Sequence, residues 1–166
     1  MYLPEYFLIG LSLKAIDNLY ERKRVLMSIL AVLTAFMMGL MIISDKYSAS
    51  IFLAIVLGSV LSKKVDNLAF AAGTILIAIM VVLGQVIVVV PLFLTLLLSA
   101  VLDEYGNTRV EKRLKKDTIF YWFRYRFSMK TCVFGTVLLN WLNPIYFIAF
   151  MIFEAGYHLG EWKFKK

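Results

Sequence analysis

Apolar residues run in long unbroken stretches along this chain. They neither alternate nor recur as a stripe on one helix face. The stretches cover roughly 3–16, 25–43, 48–62, 68–102 and 131–153. The second, Val25 to Ile43, is nineteen residues without a charge, about 28 Å of helix and close to the hydrocarbon thickness of a bilayer. A helix apolar on every side has no face to offer water, so the pattern predicts membrane-spanning helices.

The fourth stretch is too long for one ordinary span, since thirty-five residues of helix would reach about 52 Å. Gly84 and Gln85, in "LGQV", predict a turn between two spans, 68–83 and 86–102. Pro91 lies early in the second, where a kink costs least. Charge favours the same division. A hairpin at Gly84 gathers Lys14, Arg22, Lys23, Arg24, Lys63, Lys64 and the 109–130 loop on one side, leaving only Asp45 and Lys46 in loops on the other. The positive-inside rule assigns the basic side to the cytoplasm.

The fold expected is therefore all-α: one domain over 1–166, a polytopic integral membrane bundle of about six spans in the cell membrane, arranged as repeated helical hairpins. The N-terminus lies outside. The C-terminal "EWKFKK" falls outside too, unless Asn143-Pro144 breaks the last stretch and returns the tail to the basic side. Elsewhere the amides of Asn140 and Asn143 read as interhelical bonding groups.

Composition agrees. Of 166 residues, 61% are hydrophobic and 17% charged, and the mean hydropathy is +0.80, leaving too little polar surface for a water-soluble domain of this size. "MYLPEYF" lacks the basic segment and small-residue cleavage site of a signal peptide and reads as mature sequence. One cysteine (Cys132) and one histidine (His158) exclude an intrachain disulfide, a Cys-rich zinc site and a paired-His metal site. No Gly-rich phosphate loop, serine-nucleophile elbow or His-Glu-x-x-His motif is present.

Two hexads repeat, "KAIDNL" at 14–19 and "KKVDNL" at 63–68. Each follows an apolar run on the basic side, so each reads as the turn of a hairpin in an internal repeat, with helices of equal parity running in the same direction. "LSAVLDEYGN" gives a fainter third copy around Asp103. Asp17, Asp66 and Asp103 thus fall near one membrane face, the first two after short runs that leave them close to membrane depth. Carboxylates there are functional candidates, and converging ones suit a hard cation such as Mg²⁺, which often bridges to phosphate. Asn18 and Asn67 add amides, and Lys14 and Lys63 add cations. The plainer reading makes each Asp a salt-bridged turn or a helix cap.

The loop 109–130 carries eight Lys/Arg against Glu111 and Asp117. Its second half interleaves Arg124 and Arg126 with six aromatics, so 104–130 reads as a basic, aromatic-rich interfacial segment. Its guanidinium groups suit anionic headgroups. Phe120 to Phe127 is too apolar for a nucleic-acid platform. Glu154 reads as a simple interfacial charge.

Three functions stay open. One is a metal-assisted enzyme with a cytoplasm-facing site for a lipid or isoprenoid phosphate with Mg²⁺, using Asp17, Asp66 and Asp103 on the metal and Lys14, Asn18, Lys63, Asn67, Arg124 and Arg126 on the phosphate. Another is a small cation transporter or channel. The third is a non-catalytic membrane subunit or assembly factor, with a homo-oligomer or a membrane complex as its setting.

Overall fold

Most of the uncharged runs become helices, although 86–89 lies outside one, and Asp45, Asn67 and Asn143 cap the helices that follow three of the breaks. The computed structural model describes residues 3–65, 67–110 and 118–164. Among them are eight helices and no strand: α1 (Leu3–Leu19), α2 (Arg24–Ser44), α3 (Lys46–Leu61), α4 (Leu68–Leu83), α5 (Val90–Val110), α6 (Thr118–Arg124), α7 (Phe127–Leu138) and α8 (Pro144–Lys163). The fold is all-α. By length and composition α2 is apolar enough to cross a membrane; α3, α4 and α7 are apolar but shorter.

The caps are local chemistry. Asp45 ends α2 and starts α3, accepting the Ser48 N–H at 2.7 Å. Asn67 accepts from Phe70 N at 3.0 Å and starts α4. The chain turns at Gly84-Gln85 as expected, with Gln85 in the left-handed region at φ 47. The last apolar stretch is not one helix. Asn140, left-handed at φ 57, follows the end of α7, and Asn143 caps α8 with Pro144 in its first turn. The Asn143 amide, expected to bond between helices, caps a helix instead, and Asn140 lies in the turn before it.

Three helix pairs run parallel. Gly10 abuts the Phe153 carbonyl, Gly156 the Phe7 carbonyl and Gly160 the Lys14 side chain, so α1 and α8 ascend together. Gly73 meets Ala35, Gly39 meets Met80 and Gly84 meets Ile43, aligning α2 with α4. Ser50 Oγ accepts from Val89 N at 3.0 Å and Gly58 abuts Ala100, aligning α3 with α5. Small residues permit each close approach. From neighbour to neighbour α8, α1, α2, α3, α5 and α7 form a closed circuit, and α4 stands outside it against α2. Tyr6, Phe52, Phe150 and Phe153 are fully buried within the circuit.

Of the two outcomes expected for the tail, the break at 139–143 gives the second: α8 runs parallel to α1, so Glu161 lies beside Lys14 at the basic end. The expectation of repeated hairpins changes. The two hexads are not copies of one turn. Lys14 to Leu19 is the end of α1 itself, whereas Lys63 to Asn67 is the connection between α3 and α4. The difference follows from Asn67, which starts a helix at once, while Asn18 continues one. Nor do α3 and α4 close as a hairpin; α3 packs on α5 and α4 on α2.

Candidate functional site

Where α3 and α4 part, the chain encloses a cavity of about 680 Å³, within the range of small-molecule sites. Its deep wall is apolar: Ala31, Ala35 and Met38 of α2, Ile55 and Val56 of α3, Ala69, Gly73 and Ile77 of α4. The lining goes no deeper than Met38 and Ile77, because the next contact, Gly39 on Met80, closes α2 against α4. From Ala69 to Ile77 is about 12 Å of helix.

The mouth is charged. Lys14, Lys63, Lys64, Arg124 and Arg126 face Asp17, Glu104 and Glu161 there. Lys14 Nζ lies 2.7 Å from Asp17 Oδ2, one helical step away. Glu104 accepts from two cations, Lys64 at 2.6 Å and Arg126. Arg124 pairs with Glu161. The Tyr157 ring sits between Lys14 Nζ at 5.2 Å and the Arg126 guanidinium at 4.8 Å, so both cations lie over an aromatic face. Glu104 is 5% exposed. Burial pushes its carboxyl up, but Arg126 and then Lys64 outweigh burial and hold it below the usual carboxylate value.

Lys63 differs from the other four cations. Its side chain has no ion-pair partner among the described residues, and its backbone is left-handed, at φ 55. The end of α3 explains the backbone: Lys64 N donates to Ser59 O and Ser62 N to Gly58 O, so Lys63 holds the helix-terminating position that glycine usually takes. A left-handed residue with a side chain costs roughly 1–2 kcal/mol. Lys63 is exposed and lines the cavity mouth. Beside it the buried Ser62 Oγ has no hydrogen-bond partner among the described residues.

Of the residues singled out from the sequence, Lys14, Asp17, Lys63, Arg124 and Arg126 line this cavity. Asn67 is a cap, and Asn18, half-buried on α1, does not line the cavity. Asp66 lies outside the described residues, as do the basic residues of 111–117. Asp103 is 1% exposed, and its two oxygens accept from Ser128 N at 3.1 Å and Met129 N at 2.8 Å, capping α7 from the side of α5. Among the described residues no three His, Cys, Asp or Glu side chains come together as a metal cluster.

Sequence reasoning missed Glu104, Glu161 and Tyr157. It also misjudged Glu154, which is 2% exposed and lies 3.0 Å from Lys130 Nζ and 3.6 Å from His158 Nε2. The signal for Tyr157 and Glu161 was present: Gly156 and Gly160 in "GYHLG" form the Gly-x-x-x-Gly spacing that brings helices together. No protein-family model matches the chain, and neither curated proteins nor solved structures give a match.

Proposed function

We propose that this chain is a polytopic helical membrane protein that binds an amphiphile with a phosphate head, a lipid or isoprenoid phosphate, from its basic, cytoplasm-facing end. The observation that carries the reading is one cavity with two characters: apolar for about 12 Å and cationic at the mouth, where Lys63 is left-handed and has no ion-pair partner among the described residues. An anionic head would meet Lys63 and the Ser62 hydroxyl, which has no hydrogen-bond partner among the described residues, and a hydrocarbon chain would lie against Met38 and Ile77. Membrane embedding is supported by the outward faces: Ile29, Leu33, Phe36 and Leu40 on α2, and Ile75, Ile79 and Val82 on α4, are exposed. The spans proposed are the apolar parts of α1 to α5 and α8, with α7 and the 139–143 turn completing the return, so the two termini lie on opposite sides. A Mg²⁺ ion arriving with the phosphate would meet Asp17 at the mouth, Asp103 being committed as a cap.

The test is native mass spectrometry of protein released from bilayers holding both phosphatidic acid and phosphatidylcholine. Retention enriched in phosphatidic acid, abolished by Lys63→Gln, supports the reading. Equal retention of the two lipids contradicts it.

A further inference from the structure

Consecutive helices joined by a short connection ordinarily pack together. Here α3 and α4, joined over 62–67, do not, and among the described helices it is α2 that packs along α4. The stripe Ala69, Gly73, Ile77 holds α4 against α2 and is buried. The neighbouring Phe70 and Thr74, only half-buried, turn toward the cavity, and Ile55, Val56 and Ser59 of α3 line the opposite wall. The cavity therefore occupies the place where the hairpin would have closed, with Lys63 and Lys64 of the connection at its charged end.

Resting on the reading above, we propose that the ligand is a bilayer-resident lipid whose chain passes sideways between α3 and α4, its head seated on the 62–65 connection without the lipid leaving the membrane. A free phosphate has no use for an apolar wall about 12 Å deep. Conversely, one leaflet is about 15 Å of hydrocarbon, so the chains of a full-length lipid exceed the depth enclosed and continue out between the two helices. The cations at the mouth fix the head, and the gap between α3 and α4 fixes the route.

The experiment follows exchange of a fluorescent long-chain phosphatidic acid between nanodisc-embedded protein and added vesicles, with sn-glycerol 3-phosphate as the head-only competitor. Thr74→Trp narrows the gap and Phe70→Ala widens it, and neither touches the cations. Filling the gap with an indole should weaken or slow lipid binding by roughly tenfold or more. Phe70→Ala should speed exchange, and it decides the matter if the tryptophan variant does not fold. Glycerol 3-phosphate should not displace the lipid. If both variants exchange like the parent protein while Lys63→Gln still abolishes binding, the lateral route is wrong and the phosphate-head reading stands. Displacement by glycerol 3-phosphate would overturn the bilayer-resident lipid. Failure of the parent protein to prefer phosphatidic acid over phosphatidylcholine would remove the proposed function and this inference with it.

Discussion

Lys64 Nζ lies 2.6 Å from Glu104 Oε2, tying the connection between α3 and α4 to the end of α5, while the other oxygen of Glu104 accepts from Arg126. One buried carboxylate thus fixes two of the five mouth cations and the segment leading into α7. Glu104→Gln leaves those cations partly uncompensated. The expected loss is roughly 2–4 kcal/mol, toward the lower end because Lys64 is a third exposed, read as a lowered melting temperature. The pH dependence has a definite sign. Glu104 lies beyond the apolar part of α5, which ends at Leu102, and its folded carboxyl is held below the ordinary 4.5. Its contribution is therefore present above that value and lost as pH falls through the lowered one. Melting temperatures taken from neutral pH downward should show a smaller acid-induced drop in Glu104→Gln than in the parent protein.

The α1–α8 contact predicts a contrast between two glycines. A methyl group at Gly156 would meet the Phe7 carbonyl, whereas one at Gly135 meets nothing within 4 Å. Gly156→Ala should destabilise by about 1–3 kcal/mol. Gly135→Ala, inside α7, should be neutral or stabilising by up to about 1 kcal/mol. Thermal unfolding of the two variants side by side checks the parallel packing.

Topology offers a third check. With Cys132 replaced, single cysteines at Glu21 and Lys163 should label from one side of the membrane and a cysteine at Lys46 from the other. Lys163 labelling together with Lys46 would contradict the reversal at 139–143.

Asp103 is expected to act as a cap. Asp103→Ala should cost about 1–2 kcal/mol, by the same amount with and without Mg²⁺. A loss appearing only when Mg²⁺ is present would return Asp103 to a metal site.

Much of the architecture was legible because uncharged length is a strong signal. α2, α3 and α4 fall within a residue or two of the runs 25–43, 48–62 and 68–83, and Gly84-Gln85 is the turn expected. The C-terminal part of α5 was not legible. The apolar run ends at Leu102, yet the helix continues to Val110 because Asp103 and Glu104 find partners from 126–129 and from Lys64, far away in sequence. For the same reason "LDEYGN" pointed to Asp103, when its neighbour Glu104 is the carboxylate at the mouth. The hexads do come together, but not as copies of one turn. Their backbones differ, but Lys14 and Asp17 from one and Lys63 and Lys64 from the other share a single cavity, which no spacing rule encodes.

Under the proposed reading, Lys63 links stability to lipid binding. Lys63→Gly relieves the left-handed strain and should raise stability by up to about 1 kcal/mol while removing the Lys63 charge from the mouth. A more stable protein with a weaker lipid preference is the expected pairing of melting temperature and retained lipid. Lower stability with unchanged preference would mean that the strain at Lys63 serves the fold alone.

The most direct measurement places a photo-reactive benzoylphenylalanine at Val56, on the cavity wall, and separately at Leu57, its outward-facing neighbour. The protein is held in phosphatidylcholine nanodiscs containing a minor share of phosphatidic acid. Adducts at Val56 should be enriched in phosphatidic acid over the bilayer composition, with the enrichment lost in Lys63→Gln, while adducts at Leu57 mirror the bilayer. Adducts at Val56 that also mirror the bilayer, or an absence of lipid adducts there, would contradict a head-selective lipid site between α3 and α4.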